Sequence, residues 1–227
     1  MLTSNSKRIC LWSVPRSGST YVFRNLVELV ITEGWTQFDT VFNRKRSGSE
    51  PFRRKRSQQI FKSIKKFQTE QYWIAKVHNI DIRNLKEEKL YNEFLKLPDY
   101  NILLLRKDLF EASLSQCVAS IKQQWTNNHD DIPIEVSTDK FIEMYNYQLN
   151  YNKSYDKKQK NGMNFDKVIY TEDLTDDPND IWRVLTGKDP VNPIINCVDK
   201  SPDKIKVVTN YYQLKDLYNE MRTSRCP

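Results

Sequence analysis

Arg8-Ile9-Cys10-Leu11-Trp12-Ser13-Val14-Pro15-Arg16-Ser17-Gly18-Ser19-Thr20-Tyr21-Val22-Phe23 is the stretch on which the reading of this chain turns. Its first seven residues form a short apolar run with β-formers that stops at a proline-containing turn, so Arg8–Val14 reads as a buried strand. Beyond the turn, Val22, Phe23, Leu26, Leu29 and Val30 recur at helical spacing, and Thr20–Glu33 predicts a helix that ends before Gly34. The chain therefore opens as strand, tight turn, helix.

The turn itself carries chemistry. Backbone N–H groups at a helix start form an anion site, and the helix dipole reinforces it. Gly18 lets the backbone approach a ligand closely. Ser17, Ser19 and Thr20 add hydroxyl donors, and Arg16 adds a planar cation suited to phosphate or sulfate oxygens. The plainer alternative is a βα turn whose Ser and Thr only cap the helix. The GxxxxGK[ST] pattern of nucleoside-triphosphate enzymes is not present: the turn holds one Gly, and no Lys sits at the helix start.

Outward from this unit, apolar strand-like runs alternate with helical patterns. Tyr72–Val77, Asn101–Leu105 and Lys167–Tyr170 predict three further strands. Gln58–Phe67, Leu85–Leu97, Leu109–Trp125, Thr138–Tyr151, Pro178–Leu185 and Tyr211–Met221 predict helices. Gly34–Ser57, polar, basic and marked by Gly48 and Pro51, reads as a loop. Strand–helix alternation favours an α/β fold with a parallel sheet flanked by helices. A length of 227 residues suits one domain, 1–227, with a basic loop at about 43–57.

The formal charge is +7, but it is local. Residues 43–67 hold ten Lys and Arg against Glu50 alone, a net +9, which leaves −2 for the rest. One segment attracts anions; the whole surface does not have the character of a nucleic-acid coat. Cys10, Cys117, Cys197 and Cys226 are widely spaced, and with two histidines no zinc-type ligand set emerges, so reduced thiols and a cytoplasmic location are expected. Met1–Arg8 lacks an apolar signal core, and no apolar run approaches the roughly 20 residues that span a bilayer.

Val14-Pro15-Arg16-Ser17-Gly18-Ser19-Thr20-Tyr21 resembles the 5′-phosphosulfate loop of the sulfotransferase family, which follows the first strand there too. A second similarity is a strand ending in Arg before a helix with an early Ser: Leu103-Leu104-Leu105-Arg106, then Ser113 and Ser115. In the family this Arg and Ser hold the 3′-phosphate of the cofactor, eight residues apart. Ser113 lies seven and Ser115 nine past Arg106, so both stay open, with Ser115 favoured. Third, Lys76-Val77-His78 at a strand end is similar to the family's Lys-x-His, in which His is the base; a lone His there is otherwise structural. Ile169-Tyr170-Thr171-Glu172-Asp173-Leu174 resembles a Tyr-Glu-Asp-Leu segment read as structural. Lys200–Asn210 loosely resembles the C-terminal cofactor loop, with Lys200 and Lys204 as phosphate contacts.

The resemblance implies a P-loop-like sulfotransferase fold and 3′-phosphoadenosine-5′-phosphosulfate (PAPS) as cofactor, with the bisphosphate PAP as product and no metal. It implies that Arg16, Ser17, Gly18, Ser19, Thr20 and Tyr21 bind the 5′ end. Lys76 and Arg16 would stabilise transferring charge, and His78 would accept a proton from a hydroxyl or amine acceptor such as a saccharide. His129 is the other histidine, and Glu33 and Asp39 are carboxylates that would serve as base in place of His78. Two rivals remain. A P-loop-like nucleotide-dependent kinase needs a magnesium-binding Asp and a turn Lys. A nucleic-acid-binding module using 44–66 needs more aromatic interleaving than Phe52 and Phe61 supply, so no nucleic acid is expected.

Overall fold

A computed structural model describes residues 8–14, 16, 18–30, 35–39, 50–122, 132–160, 163–194 and 204–224. At 39, 50–57, 79, 80, 156–160 and 204 it describes the backbone alone. Pro15, Ser17, Glu33, His129, Lys200, Cys197, Cys226 and the basic stretch 43–49 lie outside the described residues, as does the Lys204 side chain. The chain divides into two compact units, the described residues within Met1–Leu105 and Met163–Val198, and those within Arg106–Gly162 and Asp199–Pro227.

The first unit is an α/β fold built on five parallel strands among the described residues. These are β1 (Arg8–Ser13), β2 (Thr36–Asp39), β3 (Trp73–His78), β4 (Tyr100–Leu105) and β5 (Lys167–Tyr170), in the order β2-β3-β1-β4-β5. Helices α1 (Ser19–Val30), α2 (Glu50–Thr69), α3 (Asn79–Glu87), α4 (Tyr91–Phe94) and α7 (Asp180–Thr186) belong to the same unit. Because side chains alternate along a strand, the two faces of β1 bury different sets. Ile9 and Leu11 join Ile74, Ile102, Leu104 and Ile169 against Val22, Phe23 and Leu26 of α1 and Ile181 and Leu185 of α7. On the other face Trp12 meets Phe94 edge-on at 5.8 Å, and Phe67 contacts Phe38, Trp73 and Phe94. Residues buried on both faces explain why β1, β3 and β4 read as continuous apolar runs.

The order of strands fixes where a ligand site can form. From β1 the chain leaves through α1 over one face and returns in β2, beyond β3. From β3 it leaves through α3 and α4, the latter packed on the opposite face through Phe94, and returns in β4, beyond β1. Two neighbouring strands whose connections diverge in this way open a crevice at their carboxyl ends. Ser13 and His78, paired in register, are the last residues of β1 and β3.

The second unit contains α5 (Leu109–Lys122), α6 (Thr138–Lys160), α8 (Lys204–Val207) and α9 (Tyr211–Thr223). Its core joins Phe110, Leu114 and Val118 to Phe141, Tyr145, Leu214 and Tyr218. The Asn210 amide accepts from the Val136 N–H at 3.1 Å and donates to the Val136 carbonyl at 2.8 Å, clamping the start of α6 to the start of α9.

Two expectations are corrected. The stretch 34–57 is not one loop: Thr36–Asp39 pairs with β3 as an edge strand, and the described part from Glu50 onward is helical. Pro51 stands in the first turn of α2, where its missing N–H costs nothing, and the Arg and Lys after it are good helix formers. The helix expected over 85–97 is two helices, interrupted at Lys89, whose φ of 60° lies in the left-handed region. No helix among the described residues is long and apolar enough to cross a membrane.

Candidate functional site

The turn between β1 and α1 is built by two residues with left-handed backbone, Arg16 at φ 65° and Gly18 at φ 74°. The second has no alternative to glycine. A Cβ built on Gly18 would stand 2.9 Å from Thr171 Cγ2, and Thr171 is anchored by its hydroxyl, which donates to the Leu105 carbonyl at 3.3 Å. After this bend α1 starts at Ser19, and the Val22 N–H donates to the Gly18 carbonyl at 3.1 Å. The amides just before Val22 thus stand at the positively polarised end of a twelve-residue helix.

Lys76 reaches this end of α1 from β3. It is buried, at 4% exposure, and its ammonium donates to Thr20 Oγ1 at 3.2 Å and lies 5.5 Å from the centre of the Phe23 ring. Lys76 thus brings a cation to the end of α1 where the helix dipole is also positive. Tyr21 turns the other way: its hydroxyl donates to the Asp176 carbonyl at 3.4 Å.

His78 is half-buried beside the same turn. Its N–H donates to Asp81 Oδ2 at 2.7 Å, which closes the entry into α3. Its ring Nδ1 lies 2.9 Å from Ser13 Oγ and 3.3 Å from the Ser13 carbonyl oxygen. Arg16, Gly18, Ser19, Thr20, Lys76 and His78 therefore all belong to the carboxyl ends of β1 and β3 and the start of α1. Asp39, in register with Lys76, ends β2 and is described as backbone only.

Arg106, Ser113 and Ser115 belong to the second unit. Ser113 is fully buried and its hydroxyl donates to the Leu109 carbonyl at 2.6 Å, one turn back in α5. Ser115 is also buried, at 7% exposure. The Arg106 carbonyl accepts from Asn152 Nδ2 at 3.5 Å, and Asp108 caps α5 through the Glu111 N–H at 3.0 Å.

Two residues at the site were not singled out by sequence reasoning. Ser13 sits within an otherwise apolar strand, and that isolation is a legible signal of a special role. Thr171 lay in a segment read as structural, and its contact with Gly18 spans too much sequence to be inferred. The described thiols take no part: burial pushes Cys10 well up and Cys117 up to about 12, so neither is a reactive thiolate. Among the described residues no group of three or more His, Cys, Asp or Glu is placed to hold a metal ion. Compared with protein-family models and with curated proteins, the chain matches none of either.

Proposed function

We propose that this protein is a sulfotransferase with a P-loop-like fold, which moves a sulfuryl group from PAPS to a hydroxyl or amine of an acceptor. The observation that carries the reading is that buried Lys76 bonds Thr20 at the start of α1, beside a turn too tight for any side chain at residue 18. Backbone amides at such a helix start are what holds a phosphate.

Bound PAPS supplies an activated sulfuryl group. The turn amides with Arg16, Ser19 and Thr20 hold the 5′ end, Ser17 joining them by the resemblance. Lys76 offsets charge that grows on oxygens at that end, without needing to reorganise. His78 takes the proton from the acceptor, a step worth roughly 10²–10⁴-fold. Arg106 with Ser113 or Ser115 as 3′-phosphate contacts rests on the resemblance alone; Ser113 already donates to Leu109, which favours Ser115. An anionic saccharide suits a chain whose basic residues concentrate in 43–67.

Calorimetry with PAP, ATP with magnesium, and a DNA oligomer tests the reading. PAP is expected to bind best, with no dependence on magnesium, and Arg16→Ala to weaken it about tenfold or more. Tighter binding of ATP with magnesium would replace this reading with the kinase one.

A further inference from the structure

From the charge and the placement of α2, we infer that its outer side is a binding surface for an extended anionic polysaccharide, one whose charges repeat over many sugar units. That this polymer is the acceptor rests on the sulfotransferase reading; that α2 binds it does not.

α2 holds four cations at 53–56 and three more, Lys62, Lys65 and Lys66, against Glu50 alone. Its described side chains divide by helical spacing. Ile60, Ile64 and Phe67 are buried, whereas Gln58, Phe61, Lys62 and Lys65 are exposed. Neither Lys62 nor Lys65 makes an ion pair among the described residues. Positions 54, 58, 62 and 65 follow the same spacing, so the backbone carries Arg54 on that outer side. Lys62 and Lys66 are like charges one turn apart, which costs a helix stability, and a polyanion lying along it offsets that cost.

The sheet decides where this surface leads. α2 connects the parallel strands β2 and β3, so it runs from their carboxyl ends back to the start of β3. Its far end is fixed there, where Trp73 Nε1 donates to the Phe67 carbonyl at 3.1 Å. From Trp73 to His78 the strand rises about 17 Å. The helix covers that height in about eleven residues, from Phe67 back to Arg56. The cations at 53–56 therefore reach the level of His78, where the crevice between β1 and β3 opens. Lys62 and Lys65 lie about 9 and 14 Å beyond Arg56 along the helix. A monosaccharide at His78 leaves both lysines behind, while a polymer laid along α2 meets them all. Phe61 is the one exposed aromatic among the described side chains of α2, too few to stack successive bases, so a polysaccharide suits this surface better than single-stranded nucleic acid.

Calorimetry with a galacturonate dimer and a long polygalacturonate, which carry one carboxylate per sugar, tests the inference. The long chain is expected to bind at least about tenfold tighter than the dimer, and to weaken as salt rises. Lys62→Gln combined with Lys65→Gln, both at exposed positions, should weaken the long chain about fivefold and leave the dimer as it was. Equal affinity for the two lengths, or no binding of either, overturns the inference. So does a double variant that binds the long chain like wild type. Single-stranded DNA that binds tighter than the polysaccharide at matched charge gives the surface to nucleic acid and overturns it as well. Failure of the wild type to bind PAP while it binds the long chain would instead remove the sulfotransferase reading and leave the surface on α2 standing.

Discussion

Gly18 and Thr171 stand so close that residue 18 has no room for a side chain: an ideal Cβ falls 2.9 Å from Thr171 Cγ2. Thr171 cannot rotate away without giving up its hydrogen bond to the Leu105 carbonyl. Gly18→Ala is therefore expected to destabilise the protein twice over, by about 1–2 kcal/mol for the left-handed backbone at φ 74° and by a further steric part. Thr171→Ser removes the offending methyl and keeps the hydroxyl. Urea denaturation of the two single variants and the double variant should show recovery of the steric part only, and purely additive losses would mean that the two residues do not press on each other.

Lys76→Met separates charge from packing. Met fills a similar volume at a position with 4% exposure, so the core stays filled and any fall in melting temperature reports lost polar contacts such as that to Thr20. Affinity for PAP or inorganic sulfate should drop about tenfold or more, because the corner at Thr20 loses its cation. Calorimetry showing unchanged anion binding would remove Lys76 from the site.

Asn25 presents the opposite case, a buried polar group with no visible task. It is 1% exposed in the middle of α1, and neither its side-chain oxygen nor its nitrogen has a hydrogen-bond partner among the described residues. Asn25→Leu removes both unsatisfied atoms and improves helix propensity, for an expected gain of about 1–3 kcal/mol. The reading is a higher urea midpoint at unchanged m-value. A loss of stability would show that the amide is bonded in solution, as by a buried water.

Asp177 should titrate unusually low. The hydrogen bond from Arg183 first, then the Asn179 backbone and side chain, hold its carboxyl at about 2 instead of 3.8. A depressed folded-state pKa means that this group's stabilising contribution is present above its ordinary value and is lost as pH falls through about 2. A carboxyl ¹³C titration should give that midpoint in wild type and a value closer to 3.8 in Arg183→Gln. Identical midpoints in the two proteins would show that Arg183 is not the cause.

β1, β3 and β4 were legible in the sequence because each is buried on both faces and reads as an apolar run; β5, with Ile169 its one buried residue, was legible from its Val-Ile-Tyr β-formers. β2 was not: Thr-Gln-Phe-Asp is short, polar and at the sheet edge, and Phe38 is its one buried anchor among the described residues. The start of α2 was hidden because Pro51 signals a loop and a helix first turn equally well. Lys89 was hidden because nothing marks a lysine for left-handed backbone. Within the candidate site, the turn at Arg16–Tyr21 was marked by residue type, and Lys76 and His78 by the resemblance. Ser13 and Thr171 were not, since their roles come from register and from a bend meeting a distant strand end.

The placement of β5 has a consequence for how the protein is made. Its partner β4 ends at Leu105, but Lys167 follows only after the whole Arg106–Gly162 segment of the second unit. At roughly 5–20 residues per second, a ribosome delivers that segment over several seconds. Throughout that time the nascent first unit holds an unfinished sheet whose β4 edge is a template for any passing strand. Thr171, which braces Gly18, follows that segment, so the turn between β1 and α1 acquires its support only after α5 and α6 have left the ribosome.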